Sequence, residues 1–157
     1  KTLSPTQREL ALSYIEDIAI GIGVGAVSPH KIDQLGIVSA THNAMKLALN
    51  QLSPSPQHLL VDAIDLGWRN VQCKAIIKGD STCLAIAAAS IVAKVSRDHF
   101  MASMDTTYTG YGFARHKGYP TKCHIDALRR LGPCQIHRRS FAPVRDLLHI
   151  DPMANHR

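Results

Sequence analysis

The chain has 157 residues, the size of one domain, and 45% of them are apolar, which is enough to bury a core. Because aromatic residues make up only 5%, that core is predicted to be mainly aliphatic, and no apolar run approaches the roughly 20 residues that a membrane-spanning helix needs. The net charge of +6 is concentrated in residues 111–145, which hold eight Lys or Arg and one acidic residue, so the rest of the chain sums to −1.

The first third of the chain is predicted to contain two helices on either side of a glycine-rich strand. Ser4 is placed as the N-cap of the first helix and Pro5 at its first position, and apolar residues follow at helical spacing. Residues 19–27 (AIGIGVGAV) alternate apolar residues with glycine, which predicts a strand. We interpret these glycines as positions where backbones pack closely, and not as a dinucleotide-binding motif. A second Ser-Pro start then leads into an amphipathic helix over residues 37–52.

Strands and helices alternate over the rest of the chain, which predicts the α/β class. Short strands are predicted in HLLVDAID (58–65) and CKAIIKGD (73–80), and each of these runs ends in an acid. A long helix is predicted over residues 82–104, with an Ala-rich first half that suits close packing against a sheet. A capped helix over residues 121–132 and a short helix over residues 140–148 complete the pattern.

Asp62 and Asp80 stand out because each closes a predicted apolar strand. In open α/β sheets, functional groups gather beyond the carboxyl ends of the strands. Two carboxylates brought together there would repel each other unless a cation neutralised them, and Mg²⁺ or Mn²⁺ suits oxygen ligands. The alternative is that both are turn residues, a position that Asp favours, and Asp65 competes with Asp62 for the role. Asp98 lies four residues after Lys94 on one helix, which favours a stabilising ion pair over a catalytic role.

The basic segment, residues 111–145, predicts a polyanionic partner, most simply a nucleic acid, although a solvated helix face explains clustered charge equally well. Within it, Tyr119 lies between Gly118 and Pro120 in the motif RHKGYPT. Glycine and proline at these positions predict an exposed turn. An exposed aromatic side chain in a cationic loop is uncommon unless it stacks on a ligand.

Four motifs follow one another along the chain. They are IKGD at 77–80, AAASIVAKVSRD at 87–98, YGFARHKGYPT at 111–121 and LRRLGPCQIHRRSFAPVR at 128–145, and the chain opens with KTLS. In this order they resemble bacterial ribonuclease HII, whose D-S-K-x-L-S motif ends like the first residues here. The resemblance runs from residue 1 to about residue 146.

The resemblance implies a ribonuclease H-like mixed sheet flanked by helices, with a helical C-terminal extension. It also implies endonucleolytic cleavage of RNA in RNA–DNA hybrids, and cleavage 5′ to a single ribonucleotide in duplex DNA, by four acids with Mg²⁺ or Mn²⁺. The third of the family's catalytic, metal-binding acids corresponds to Asp62 and the fourth to Asp80. The family's tyrosine that packs on the sugar at the ribonucleotide–DNA junction corresponds to Tyr119, where it helps to sense the 2′-OH.

Contacts to the phosphate backbone are expected from Lys117, Arg138 and Arg139, and such contacts position a duplex without reading its sequence. An alternative that is equally open is that Arg138 or Arg139 anchors the C-terminal helix internally. His116 is expected to stabilise the turn rather than to support the metal ligands.

Two features depart from the family pattern. The glycine that follows the third acid is Ala63 here, and the Asp-Glu-x-Gly-Arg-Gly segment that carries the first two acids occurs nowhere in the sequence. We therefore expect a cut N-terminal end, a partial ribonuclease HII domain over residues 1–146 that lacks its first two strands, and a disordered tail over residues 147–157. Such a chain is expected to be inactive alone.

The expected partners are RNA–DNA hybrid and ribonucleotide-containing duplex DNA, with no membrane and no obligate protein partner, so the complete protein is predicted to be a monomer. The four cysteines form no C-x-x-C pair, which argues against a zinc site and predicts a reduced protein of the cytoplasm. The alternative function is a non-catalytic module that binds RNA–DNA hybrid through Tyr119 and the basic segment.

Overall fold

The computed structural model describes residues 3–149, and these residues form two compact units. The first unit comprises residues 3–26 and Thr41–Arg97, and it contains Asp62 and Asp80. The second unit comprises Val27–Ala40 and residues 98–149. The remaining predicted site residues all lie in the second unit, namely Lys117, Tyr119, Arg138 and Arg139. The fold is α/β, as predicted.

The helices of the first third begin where the sequence predicts. Helix α1 (Pro5–Ile18) has Ser4 as its N-cap. The Ser4 hydroxyl accepts a hydrogen bond from the Gln7 N–H (3.3 Å) and the Gln7 side chain accepts one from the Ser4 N–H (2.8 Å), which is a capping box. Helix α2 (Pro29–Leu49) contains a kink at Gly36, whose φ of 76° and ψ of 161° are not helical. The kink separates the two helical stretches that the sequence indicates.

The strand predicted for residues 19–27 is wrong, because this segment is irregular. A strand needs a neighbour to complete its ladder of hydrogen bonds, and this segment pairs with no strand among the described residues. The Gln51 side chain replaces a neighbouring strand at Val24, because it accepts a hydrogen bond from the Val24 N–H (3.2 Å) and donates one to the Val24 carbonyl (2.8 Å). The predicted close packing of backbones does occur, because a Cβ on Gly23 would overlap the Ala48 carbonyl.

The sheet joins β1 (His58–Asp62) to β2 (Gln72–Ile76), and in the described part of the chain it is a parallel pair rather than a mixed sheet. Asp62 pairs with Ile76, so both strands end at the same level. The short helix α3 (Gly79–Thr82) and the predicted long helix, α4 (Leu84–Thr107), follow β2. The sheet buries a small apolar cluster, which consists of Leu59, Leu66 and Trp68.

The second unit is mainly helical. The two predicted helices form as α6 (Lys122–Leu131) and α7 (Ala142–His149), and a single turn, α5 (Phe113–His116), precedes them. The Thr121 side chain caps α6 by accepting from the His124 N–H (3.3 Å). Because α7 extends to His149, the first three residues of the tail predicted at 147–157 are helical, and the others lie outside the described residues.

The core of the second unit is partly aromatic, although the composition predicts a mainly aliphatic one. The Tyr111 and Phe113 rings are stacked, with centroids 5.2 Å apart and planes 11° apart. Each buried aromatic ring removes more apolar area from water than a buried aliphatic side chain does. The other buried members of this cluster are Met101, Ala127, Leu128 and Val144.

Candidate functional site

Asp62 and Asp80 come together at the carboxyl ends of the two strands. Asp62 is the last residue of β1, and Asp80 lies in the first turn of α3, just beyond β2. The Gly79 N–H donates a hydrogen bond to the Asp62 Oδ1 (2.9 Å), which ties the residue before Asp80 to the Asp62 carboxylate. Both acidic side chains are half-buried. The structure therefore brings the two predicted ligands to one edge of the sheet.

The turn before Asp80 depends on the left-handed backbone of Lys78 and on the lack of a side chain at Gly79. β2 ends at Ile76 and not at Asp80, because Lys78 adopts a left-handed conformation (φ 55°, ψ 37°) that leaves the strand. Gly79 is buried, and a Cβ there would lie 2.5 Å from the Ile86 Cδ1. This turn therefore needs glycine at position 79, whose N–H donates the hydrogen bond to Asp62.

Asp65, the competing candidate, has a different role. Its Oδ1 accepts a hydrogen bond from the Gly67 N–H (3.3 Å), and its side chain is exposed on the loop after β1. This is the local turn bond that Asp favours. The structure therefore distinguishes Asp62, which bonds across to the α3 turn, from Asp65, which bonds within its own loop.

The pair of carboxylates offers oxygen ligands of the type that Mg²⁺ and Mn²⁺ prefer. Among residues 3–149, however, no group of three or more His, Cys, Asp or Glu side chains could hold a metal ion. Asp62 and Asp80 therefore fit part of a ligand set. The other ligands would have to be water, phosphate oxygens or further acids.

The loop of Tyr119 follows a single helical turn and is closely hydrogen-bonded. Lys117 (φ 52°) and Gly118 (φ 80°) are both left-handed and reverse the chain after α5. The Tyr119 N–H then donates to the His116 carbonyl (2.9 Å), and the Tyr119 carbonyl accepts from the Thr121 N–H (2.8 Å). The Tyr119 residue is 53% exposed, so a fixed backbone presents an exposed ring.

Three buried histidines lie next to this loop. His116, His124 and His137 are each at most 9% exposed. The His116 Nε2 bonds to the Tyr111 carbonyl (2.8 Å) and its Nδ1 accepts from the Gly118 N–H (3.2 Å), which is the turn-stabilising role expected of it. Burial lowers the pKa of His124, and burial together with the nearby His124 lowers the pKa of His137 to about 4. Both of these rings are therefore mainly neutral at pH 7.

Arg138 and Arg139 are held by different groups. The Arg138 guanidinium lies over the Phe141 ring, 5.1 Å from its centroid, and this contact just before α7 supports the internal anchoring alternative. The Arg139 side chain is exposed, while its backbone N–H donates to the Asp33 Oδ2 (2.8 Å). Desolvation by itself would raise the Asp33 pKa, but hydrogen bonds from Ser140 and Arg139 outweigh it and hold this pKa below its usual value.

Known proteins match this chain along most of its length. The family model of ribonuclease HII matches residues 1–144. The chain belongs to the ribonuclease HII family. It is 51% identical to the ribonuclease HII of Geobacillus thermodenitrificans (strain NG80-2) over 150 residues and 48% identical to that of Acetivibrio thermocellus over 141 residues. These alignments cover 96% and 90% of this chain but 58% and 55% of the relatives, so the chain spans little more than half of their length.

A solved structure shares the fold. The crystal structure of the ribonuclease H2 from Pyrococcus horikoshii OT3 matches with a TM-score of 0.68 and 26% identity, over 93% of this chain and 77% of that chain. The fold is therefore ribonuclease H-like, as the ribonuclease HII motifs imply. Within residues 3–149, none of the helices has the length and apolar character needed to cross a membrane.

Ala63, the residue after Asp62, adopts a left-handed conformation with a φ of 56°. Its N–H donates to the Ile76 carbonyl (3.0 Å), so the end of the sheet fixes this conformation. Left-handed backbone suits glycine and strains a residue that carries a Cβ. Ala63 therefore places backbone strain directly after Asp62.

Proposed function

We propose that this chain contributes to the activity of a metal-dependent endoribonuclease. This enzyme hydrolyses the RNA strand of RNA–DNA hybrids and cuts 5′ to single ribonucleotides in duplex DNA. One observation carries the proposal. In a member of the ribonuclease HII family, Asp62 ends one strand of a parallel pair and accepts a hydrogen bond from the Gly79 N–H, and Gly79 directly precedes Asp80 just beyond the other strand. Open α/β sheets place their functional groups at this edge.

Asp62 and Asp80 would hold Mg²⁺ or Mn²⁺. Such a cation, when bound, favours formation of hydroxide from water and neutralises charge on the leaving 3′ oxygen. The two carboxylates act as ligands and not as the general base. The Gly79 N–H bonds one oxygen of Asp62, so the backbone of the α3 turn sets the direction of the other oxygen. Asp80 follows directly in that turn, which keeps both acids on one rigid connection.

Tyr119 would pack on the sugar at the ribonucleotide–DNA junction and help to sense the 2′-OH. Its side chain is exposed, while its backbone N–H and carbonyl are both hydrogen-bonded. Binding therefore costs little conformational entropy, because the loop backbone is already ordered. Lys117 and Arg139 would contact phosphates, which suits the exposed Arg139 side chain. Arg138 would contribute less directly, because its guanidinium stacks on Phe141.

A second candidate function is a non-catalytic module that binds RNA–DNA hybrid. The exposed Tyr119 residue on a hydrogen-bonded loop within the basic segment favours it. The basic segment and Tyr119 would suffice for binding, through phosphate contacts and stacking. The two candidates differ in whether the acids at the sheet edge matter.

Cleavage assays decide between the candidates. The 157-residue chain is compared with a chimera in which the N-terminal segment of the Geobacillus thermodenitrificans relative precedes it, on RNA–DNA hybrid and on a duplex with one ribonucleotide. We expect the chain alone to be nearly inactive and the chimera to cleave both substrates with Mg²⁺ or Mn²⁺. In the chimera, Asp80→Asn should lower cleavage by more than about 100-fold, since loss of a residue that merely supports a metal ligand already costs about 10- to 100-fold.

Asp65→Asn is the matched control, because it removes a carboxylate from the same loop region without touching the bonds of Asp62. It should leave cleavage nearly unchanged. A chimera that binds hybrid but does not cleave it would favour the binding module. Equal losses in Asp65→Asn and Asp80→Asn would contradict the assignment of the acids.

A further inference from the structure

A pair of buried histidines connects the interior of the second unit to Tyr119. The His124 Nδ1 lies 2.9 Å from the Tyr119 carbonyl oxygen, and the His124 Nε2 lies 3.0 Å from the His137 Nε2. At the other end, the His137 Nδ1 lies 3.0 Å from the Cys134 backbone nitrogen and 3.1 Å from the Cys134 Sγ. Together these contacts form an unbroken path of hydrogen bonds from Cys134 to the loop.

The two ends of the path fix where each proton lies. A carbonyl oxygen only accepts, so His124 carries a proton on Nδ1, and the Cys134 backbone N–H only donates, so the His137 Nδ1 is an acceptor. His137 then carries its proton on Nε2 and donates it to the His124 Nε2. A single arrangement of two neutral rings satisfies every bond. Burial, which lowers the pKa of both rings, favours that neutral state.

His116 supports the same residue from the other side. Its ring stacks on the His124 ring, with centroids 4.3 Å apart and planes 14° apart. Its carbonyl accepts the Tyr119 N–H (2.9 Å). The His124 ring also packs edge-on against Phe113, one of the most deeply buried residues, with centroids 5.5 Å apart. Both backbone groups of Tyr119 are thus held by histidines that pack together beside the core.

We propose that His124, oriented by His137, is a positioning residue for Tyr119 and thereby for recognition of the ribonucleotide–DNA junction, an inference that rests on the proposed function of Tyr119. An exposed ring stacks with full effect only when its backbone is already in place, because ordering it on binding costs affinity. The Thr121 N–H also bonds the Tyr119 carbonyl (2.8 Å), but Thr121 belongs to the same loop. His124 belongs to α6 and connects the loop to the interior.

Binding to two duplexes tests this role in the full 157-residue chain. The duplexes are identical except that one contains a single ribonucleotide, and the ratio of their dissociation constants measures discrimination. His124→Leu removes both ring nitrogens, whereas His124→Asn keeps a side-chain N–H close to the Nδ1 position. His149→Leu changes an exposed histidine of α7 and is the matched control.

We expect His124→Leu to lower discrimination by about 10-fold, because one aromatic stacking contact to a nucleic acid is worth at least about that factor. His124→Asn should restore most of the discrimination, and His149→Leu should leave it unchanged. The affinity for the all-DNA duplex should change little in every variant. Equal losses of affinity for both duplexes in His124→Leu would show a merely structural role and overturn the proposal.

Tyr119→Ala separates a failure of this inference from a failure of the proposed function. It should lower discrimination by about 10- to 100-fold, and adding His124→Leu should lower it no further. If Tyr119→Ala has no effect, the proposed function of Tyr119 fails and the positioning role fails with it. If Tyr119→Ala lowers discrimination and His124→Leu does not, the positioning role alone fails.

Nitrogen NMR of the histidine rings tests the path without a substrate and without a variant. The ¹⁵N shifts of the folded chain should place the proton of His124 on Nδ1 and the proton of His137 on Nε2. A neutral His124 with its proton on Nε2 could not donate to the Tyr119 carbonyl. That result would overturn the proposal even if His124→Leu failed to fold.

Discussion

Phe113 and Leu128 in the second unit are 1% and 2% exposed, whereas Ile20 and Ile77 in the first unit are 89% and 81% exposed. Both units bury apolar side chains, since Val95 of the first unit is also only 2% exposed, but the most exposed large apolar side chains of the described residues lie in the first unit. Burial of apolar area is the main stabilising contribution to a fold. The Tyr119 loop lies next to a core with stacked aromatic rings, and the turn that bears Asp80 is tied to Asp62 by the hydrogen bond from the Gly79 N–H.

This difference separates the two parts of the proposed chemistry. The part proposed to contact substrate, the Tyr119 loop, is held by the buried histidines and aromatic rings of the second unit. The part proposed to hold a metal ion lies at the end of a strand pair next to a small buried cluster of Leu59, Leu66 and Trp68. Changes in the second unit should therefore act through packing and buried protons, and changes near the acids through backbone conformation.

The largest effect is expected from Phe113→Ala, which removes a ring that is 1% exposed. Loss of a buried aromatic side chain leaves a cavity and costs about 3–5 kcal/mol in the free energy of unfolding. Phe100→Ala is the matched control, because this ring is 54% exposed and its loss should cost less than about 0.5 kcal/mol. Urea unfolding of both variants measures the difference. Similar costs for the two variants would contradict the packed interior of the second unit.

A smaller loss of stability is expected when the pH is lowered. The folded-state pKa of His137 is about 4, below the ordinary value of 6.5, so the unfolded chain binds more protons than the folded one between these pH values. The stabilising contribution is complete above pH 6.5 and is lost as the pH falls toward 4, by at most about 1.4 kcal/mol per pH unit for one proton. His124, whose pKa is also lowered, acts in the same direction.

Urea unfolding between pH 7 and pH 4 measures this dependence. His137→Gln keeps a donor near Nε2 but cannot titrate, so it should flatten the decline in the free energy of unfolding. His149→Gln, at an exposed position, should not alter the decline. An equally steep decline in His137→Gln would show that other groups carry the acid sensitivity of the second unit.

The sequence alone could predict the features that depend on hydrogen bonds between residues close together in the chain. Ser4, Thr121 and Gly132 define helix ends through bonds that span at most four residues. The strand prediction for residues 19–27 failed because a strand is completed by a distant partner, and here the partner of Val24 is the Gln51 side chain. Alternation of apolar residues contains no information about such a partner.

The candidate site shows the same limit. Asp62 and Asp80 could be placed together because parallel strands end at a common edge. The spacing alone left Asp65 open beside Asp62, and only the ribonuclease HII resemblance selected Asp62, since the two differ in which backbone N–H each carboxylate accepts. His124 and His137 were missed because they bond across 13 residues and no motif spacing marks them.

The smallest predicted effect is at the edge that bears the acids, where Ala63→Gly should stabilise the protein. Ala63 has a φ of 56°, and a residue with a Cβ is strained there by about 1–2 kcal/mol. Glycine relieves the strain but adds about 0.5–1 kcal/mol of conformational entropy to the unfolded chain, so the net gain should lie between about 0 and 1.5 kcal/mol. Ala89→Gly, at an exposed position inside α4, is the matched control and should instead cost about 1 kcal/mol. Urea unfolding compares the two, and a loss of stability in both variants would show that the left-handed conformation of Ala63 is not the one the protein adopts.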